Sequence, residues 1–159
     1  MPAPPIQIRK AEAADLPHVR SCLAIAFEPY RADYTPAMFD NTVPTLEGLH
    51  DRAADMNIWV ACASDGEVVG TVAAAVIGCH VGHLRGMAVK PGHHGAGVAA
   101  ALLHAAESEL RSLGCTTVTL DTTAPLHRAM KFYEKHGYRQ SGTRCLKLGM
   151  DLIEHRKVL

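Results

Sequence analysis

Between His83 and Leu103 the sequence passes from alternating apolar residues through a Pro-Gly turn and a glycine-spaced loop to an alanine- and leucine-rich segment. This succession predicts a strand, a turn, a loop and a helix. Gly95 and Gly97 allow the loop backbone to pass close to a ligand, and they leave N–H groups at the helix start without intrahelical partners. Because the helix dipole adds positive charge at the same point, the loop is predicted to bind a phosphate or pyrophosphate.

The same segment resembles the acyl-CoA signature of the GNAT superfamily of N-acyltransferases, Arg/Gln-x-x-Gly-x-Gly/Ala. His94 stands where the signature has Arg or Gln, and Gly97 and Ala99 occupy its small-residue positions. The preceding strand residues 87–89 and Pro91 also fit the family. Histidine is shorter than arginine and only partly charged at neutral pH, so the resemblance implies a weaker, pH-sensitive phosphate contact here.

The resemblance assigns three sets of residues to the binding of acetyl-CoA. The loop residues that it places at the pyrophosphate are His94, Gly95, Ala96, Gly97, Val98 and Ala99. The strand residues whose backbone would pair with the pantetheine amides, as an added strand would, are Met87, Ala88 and Val89. The residues of a later helix that it places beside the cofactor are Ala129 and Phe132.

That later helix belongs to a second stretch, residues 129–138, which resembles the family's Ala-x-x-Leu-Tyr-Glu-Lys-x-Gly-Phe. Helical spacing puts Ala129, Phe132 and Tyr133 on one face. In the family this tyrosine is often the general acid that protonates the departing CoA thiolate, so the resemblance assigns that role to Tyr133. The alternative is a half-buried aromatic that packs the helix onto the sheet. The family often has Asn where this chain has Leu126, so backbone contacts are expected to hold the pantetheine arm.

Acetylation requires a neutral amine, so a base must remove a proton from the acceptor directly or through water. The family often places Glu at the start of the fourth strand, and the residue at that position here is His83. An ordinary imidazole pKa of about 6.5 suits this task. His80 and Glu28 are alternative bases. A further alternative is that His83 is only a surface residue at a strand end, and that the amine arrives deprotonated.

Apolar patterning along the chain predicts the element order β-α-α-β-β-β-α-β-α-β-β. This order requires a mixed sheet with helices on both faces. It is also the order of the GNAT fold, an α/β (α+β) fold with a mostly antiparallel sheet of about seven strands, in which the fourth and fifth strands splay apart around acetyl-CoA. The last hairpin is predicted to turn at Gly142 and Thr143. Residues 1–5 are expected to be flexible, residues 6–153 to form a single domain, and residues 154–159 to form a frayed tail.

The composition limits the partners. The 16 Lys and Arg residues balance the 16 Asp and Glu residues, so net charge favours neither nucleic acid nor an anionic membrane. No apolar run reaches the roughly 20 residues that span a bilayer, and no secretory signal is recognisable at the start. The five scattered cysteines indicate reduced thiols. These observations predict a cytoplasmic location, with no nucleic acid and no membrane as a partner.

The resemblance implies transfer of an acetyl group from acetyl-CoA to a primary amine by direct attack. The acceptor is a small amine, an amino acid, an antibiotic, or a peptide terminus or lysine. A small molecule is favoured because no charge stripe marks a macromolecular partner. The acidic residues that lie where the family binds its acceptor are Asp33, Asp40, Glu47, Asp51 and Asp55, and the aromatic residues that could line the same pocket are Tyr30, Tyr34 and Trp59.

Two other functions remain open from the sequence. A CoA-binding sensor or structural module would keep the fold without turnover, which the departures at His94 and Leu126 permit. A metal-binding regulatory domain would use the thiol and imidazole groups of Cys79, His80, His83, His93 and His94, although no metal is expected because no Cys-x-x-Cys or His-Glu-x-x-His accompanies them. Family members often dimerise, so the resemblance also admits a homodimer.

Overall fold

The computed structural model describes residues 5–159, which build one seven-stranded sheet flanked by helices. The strands are β1 (Gln7–Lys10), β2 (Asn57–Cys62), β3 (Val68–Gly78), β4 (Val81–Val89), β5 (Thr117–Thr122), β6 (Arg139–Lys147) and β7 (Met150–Val158). The helices are α1 (Leu16–Phe27), α2 (Pro36–Thr42), α3 (Leu46–Asp55), α4 (Val98–Ser112) and α5 (His127–Lys135). The predicted flexible lead falls largely on residues 1–4, which lie outside the described residues.

The strands lie in the order β1-β2-β3-β4-β5-β7-β6, and every neighbouring pair is antiparallel except β4 and β5. Successive side chains of a strand point to opposite faces. In β2, Ile58 and Val60 pack in a core with α1, α2 and α3, whereas Ala61 packs in a second core with α4 and α5. The predicted mixed, mostly antiparallel sheet with helices on both faces is therefore confirmed.

The parallel pair β4 and β5 separates part-way along its length. Its pairing runs from Val81 opposite Thr117 to Leu84 opposite Leu120, where it stops. Beyond that point β4 continues against β3 as far as Val89, and β5 continues against β7. One edge of β4 is thus left without a neighbouring strand, and the strands open into the gap that the family resemblance implied.

A bulge in β4 lies at the start of this open edge. Ala73 of β3 is opposite Arg85, and Thr71 is opposite Ala88, so the residues between them in β4 outnumber those in β3. Gly86 lies in this bulge with a φ of +64°, a conformation that glycine adopts without the steric cost a side chain would impose. The bulge turns the following strand residues relative to the first half of β4.

The last hairpin differs from the sequence-based expectation. Its turn lies at Leu148 and Gly149, with φ values of 50° and 80°, and not at Gly142 and Thr143. Gly142, with a φ of 89°, instead lies in an irregular part of β6, where the register against β7 shifts. Both glycines suit a positive φ. The pairing of β7 with β5 determines which of them makes the turn.

The frayed tail expected at 154–159 is not present. Glu154 to Val158 belong to β7, and they pair with β5 between Thr117 and Asp121. Lys157 also binds the carboxylate of Glu107 on α4. Local sequence patterns did not predict this strand, because the residues that pair with it or bind it come from distant parts of the chain. Across residues 5–159, no helix has the length and apolar character needed to cross a membrane.

Candidate active site

A cleft of about 840 Å³ opens where β4 and β5 separate. The loop after β4, the start of α4 and the helix α5 line one part of it, and the segment from the end of α1 to α3 lines another. The sequence-predicted site residues that the fold brings together in this cleft are His83, Met87, Ala88, Val89, His94, Gly95, Gly97, Val98, Ala99, Ala129, Phe132 and Tyr133. Ala96 lies in the same loop, but it is exposed and does not line the cleft.

The glycine loop ends in an unusual helix start. Gly95 and Gly97 both have a φ of +78°, and a Cβ atom added to either would meet nothing within 4 Å. The left-handed backbone, and not crowding, is therefore what requires glycine. Gly97 precedes α4 without any side-chain hydrogen bond to the first turn. The first N–H groups of α4, at Val98 and Ala99, thus have no intrahelical acceptor and are available to an anion.

His94 is engaged on both ring nitrogens. Its Nδ1 lies 2.7 Å from Nη1 of Arg128, and its Nε2 lies 2.9 Å from the carbonyl oxygen of Val89. Arginine can only donate, so Nδ1 accepts and the Nε2–H group donates to Val89. The permanent positive charge beside the loop is thus the exposed guanidinium of Arg128, which the sequence analysis did not identify. Arg128 directly precedes Ala129 of the second family motif, and this position could have identified it from the sequence.

Tyr133 both packs and faces the cleft. Only 7% of the residue is exposed. Its ring makes edge-on contacts with Phe132 and Tyr138 at centroid distances of 5.4 and 5.8 Å. Burial raises the pKa of the hydroxyl well above its ordinary value, so the group stays protonated over the physiological range. The packing role and the proton-donor role are therefore compatible.

The imidazole of His83 is oriented by its neighbour on β5. Nδ1 lies 2.8 Å from Oγ1 of Thr119, whose hydroxyl donates to the carbonyl oxygen of Gly82 at 3.4 Å. With the hydroxyl donating in that direction, Nδ1–H donates to Thr119 and Nε2 keeps a free lone pair. Nε2 lies 3.9 Å from Oδ2 of Asp121. Burial lowers the pKa of His83, and Asp121 partly opposes that shift, so the ring is neutral at pH 7.

Asp121 was not identified from the sequence, although it follows Thr119 by two residues and so shares its face of β5. The two alternative bases lie elsewhere. His80 binds the carbonyl oxygen of Gly114, and Glu28 is exposed and paired with Arg31. Neither of them lines the cleft. His83 is thus the member of the three candidate bases that reaches it.

The chain matches the family model described as Acetyltransferase (GNAT) family over residues 19–138. It belongs to the GNAT acetyltransferase family. An uncharacterized N-acetyltransferase of Mycobacterium tuberculosis is 41% identical over 59 residues, which cover 37% of this chain and 38% of that protein. The alignment thus spans well under half of the curated relative's length.

Solved structures of GNAT proteins share the fold along nearly the whole chain. The PaiA N-acetyltransferase of Thermoplasma acidophilum, solved in complex with coenzyme A, superposes with a TM-score of 0.82 at 19% identity, covering 98% of this chain and 99% of that one. The ribosomal-protein-alanine N-acetyltransferase of Brucella melitensis gives a TM-score of 0.74 at 24% identity, with coverages of 96% and 99%. These likenesses establish the fold.

Where β4 and α3 line this GNAT cleft, it contains two arginines that were not identified from the sequence. Arg85 of β4 donates from Nη2 to Oδ1 of Asn41 at 3.1 Å, and Arg52 of α3 donates from Nη2 to the carbonyl oxygen of Asn41 at 3.4 Å. Burial lowers the pKa of both groups, and the charge of Arg85 helps to lower that of Arg52 to about 10. Both remain cationic at neutral pH.

The other acceptor-side expectations are met only in part. Tyr30 and Tyr34 line the cleft, and the Tyr34 hydroxyl lies 2.8 Å from Oγ1 of Thr123. Trp59 packs instead against the core around α4. Of the acidic residues singled out between 33 and 55, Asp55 alone lines the cleft.

The histidine and cysteine residues considered for a metal site do not converge. His80, His83 and His94 each bind a different partner. Across residues 5–159 the fold brings together no group of three His, Cys, Asp or Glu side chains suited to hold a metal ion.

Proposed function

We propose that this chain is an N-acetyltransferase that moves the acetyl group of acetyl-CoA to a primary amine by direct attack of the amine on the thioester. The observation that carries the proposal is that one cleft contains the anion-binding loop, the open edge of β4, Tyr133 and His83. These are the parts that such a transfer requires, and they come from three parts of the fold: β4, the loop that begins α4, and α5.

Acetyl-CoA would bind along the open edge of β4. Its pyrophosphate would accept hydrogen bonds from the N–H groups at the start of α4, with Arg128 supplying the positive charge that His94 lacks. His94 would act on the phosphate indirectly, because it holds the Arg128 guanidinium beside the loop. The pantetheine amides would pair with the free backbone groups of residues 87–89. Ala129 and Phe132 would line the side of the arm.

The chemistry follows from the protonation states in the cleft. The amine enters as an ammonium ion and gives its proton to Nε2 of His83, directly or through water, beside the negative charge of Asp121. The neutral amine forms a bond to the thioester carbonyl carbon, and the backbone N–H groups at 87–89 stabilise the oxyanion. Collapse breaks the C–S bond, and Tyr133 donates its proton to the sulfur. The nitrogen, which holds an extra proton after bond formation, gives that proton through water to the Tyr133 phenolate, and His83 releases its own proton to solvent. Because burial raises the pKa of a thiol as it does that of a phenol, the departing sulfur also favours its protonated form.

The location and assembly form part of the proposal. Among the described residues all five cysteines are free, and Cys79 and Cys145 are exposed, as is common in a reducing compartment. We therefore expect a cytoplasmic enzyme. A homodimer, common in the family, is expected to appear as a doubled mass in sedimentation equilibrium.

The test follows thiol release from acetyl-CoA with a panel of primary amines, comparing the wild type with Tyr133→Phe. Turnover with one amine class, reduced about 100-fold in Tyr133→Phe with unchanged CoA affinity, would support the proposal. Tyr138→Phe removes a hydroxyl from the same aromatic cluster outside the cleft. Because that hydroxyl donates to the buried Glu107, this variant controls for loss of stability, and its folded fraction should keep wild-type turnover. CoA binding without thiol release for any amine would support the CoA-binding module instead, and failure to bind CoA would contradict both functions.

A further inference from the structure

Arg52 and Arg85 place two positive charges in the acceptor side of the cleft without a neutralising partner. Among the ion pairs of residues 5–159, none includes either guanidinium. Both are half-buried, and each makes one hydrogen bond to the neutral residue Asn41. A guanidinium has five N–H donors, so most of their donors remain free. Because burying like charges together is unfavourable, this arrangement indicates a site for an anion.

The charges around the pair are unevenly distributed. Asp55 lines the cleft from the same helix as Arg52, but it is exposed and lies outside ion-pair distance of both guanidinium groups. Lys147 adds a further positive group to the lining. The negative side chain Asp121 lies beside His83, at the part of the cleft where the amine would lose its proton. The lining therefore has unpaired cations at the arginines and a carboxylate at Asp121, and the charge of Lys147 also acts on His83 there.

These two parts of the lining are linked by the geometry of β4. His83 and Arg85 are two residues apart, so their side chains leave the strand on the same face, about 7 Å apart at the backbone. A small molecule with an ammonium group and an anionic group fits this separation better than a simple polyamine. A planar guanidinium group matches a carboxylate, which can accept two parallel hydrogen bonds from it, and a second guanidinium nearby adds further donors.

We infer that the acceptor is an amine that also carries a carboxylate, bound by Arg52 and Arg85 while its amino group lies at His83 and Asp121. This inference rests on the proposed acetyl transfer and narrows its substrate class to amino acids and similar amino carboxylates. A phosphate on the acceptor would offer similar oxyanion chemistry. The planar guanidinium group matches a planar carboxylate better than a tetrahedral phosphate, and the experiment below distinguishes these two anionic groups.

The experiment compares amines that differ only in the anionic group. Each set contains an amino acid, its carboxamide, the amine without the carboxyl group, and a phosphate analogue. Thiol release from acetyl-CoA is measured with the wild type, Arg52→Met, Arg85→Met, the double variant and Arg85→Lys. Arg144→Met, an exposed change on β6 outside the cleft, is the control.

The expected result is a kcat/KM for the amino acid about 10- to 100-fold above that for its carboxamide, which is the range for charge-assisted hydrogen bonds. The double variant should abolish this preference, mainly through KM, and Arg85→Lys should keep part of it. Equal rates for acid and carboxamide, a preference for the phosphate analogue, or a preference that survives the double variant would overturn the inference.

A binding measurement separates this inference from the proposed function. Calorimetry in the presence of CoA records the affinity of each compound without requiring turnover. Tighter binding of the acid than of its carboxamide, lost in the double variant, would support the anion site even if no thiol were released. Equal binding of both compounds, with thiol release intact, would overturn the anion site while leaving acetyl transfer standing.

Discussion

The Nζ atom of Lys157 lies 3.0 Å from each carboxylate oxygen of Glu107, and this contact joins β7 to α4. Glu107 is 5% exposed, and the hydroxyl of Tyr138 donates to its Oε2 atom at 2.7 Å. The three side chains thus satisfy one another in a mostly apolar core. A carboxylate buried in this way is stabilising only while both donors are present.

Glu107→Ala is expected to destabilise the fold by about 3 kcal/mol, because it leaves Lys157 and the Tyr138 hydroxyl without their acceptor. Chemical denaturation measures the change. The control is Glu28→Ala, which removes an ion pair with Arg31 that is exposed on both sides and should cost less than about 1 kcal/mol. Equal losses of stability in the two variants would mean that the buried pair of Glu107 and Lys157 contributes no more than an exposed ion pair.

Arg128→Ala is expected to weaken CoA binding about tenfold, because it removes the permanent charge beside the phosphate loop. His94→Ala should weaken binding by a smaller factor, since the guanidinium remains but loses its support. Calorimetric titration with CoA gives both values. His127→Ala, an exposed neighbour of Arg128 outside the cleft, serves as the control. An unchanged CoA affinity in Arg128→Ala would contradict the assigned role.

The pH dependence of kcat/KM should have an acidic limb set by His83. Burial lowers the pKa of this imidazole below its ordinary value of about 6.5, and only the neutral ring accepts a proton. Activity is therefore expected to fall as the pH drops through a midpoint below about 6.5. Asp121→Asn should move this midpoint to lower pH, since the carboxylate raises the pKa of His83. A limb that stays in place in both Asp121→Asn and His83→Gln would exclude His83 as the base.

The same shift predicts how stability depends on pH. Because the folded state holds the proton of His83 less tightly than the unfolded state, this residue lowers stability as the pH falls below about 6.5 and has no effect above it. His83→Gln should flatten that part of the stability curve. Thermal unfolding measured between pH 5 and pH 8 would test this, and an identical slope in wild type and variant would count against it.

Gly86→Ala should impair both the fold and the acceptor side of the cleft. The φ of +64° disfavours a side chain, and a Cβ atom there would lie 2.9 Å from Nη1 of Arg52. We expect a loss of about 1–2 kcal/mol in stability, together with a higher KM for the acceptor. Gly92→Ala, in a loop where a Cβ atom meets nothing within 4 Å, is the control. A normal KM in Gly86→Ala would show that Arg52 does not depend on this close approach.

Local patterns explain which features the sequence predicted. Pro44 divides the helical region after α1 into α2 and α3, and the loop glycines mark the start of α4. Local patterns do not predict contacts between residues that are distant in the sequence. Arg52 of α3 and Arg85 of β4 come together because both bind Asn41 of α2, and neither lies in a recognisable motif. The choice between Gly142 and Gly149 for the last turn depends on how β7 pairs with β5, which a local pattern does not encode.

The position of β7 has a consequence for how the chain is made. This strand lies between β5 and β6 although it follows both in the sequence. On the ribosome, β5 can pair with β4 along part of its length, but its other edge and the whole of β6 remain unpaired until Met150–Val158 is synthesised. Open strand edges promote association between chains. A translation pause or premature stop near Leu148 would thus release an aggregation-prone chain, and chaperones would be needed most in that interval.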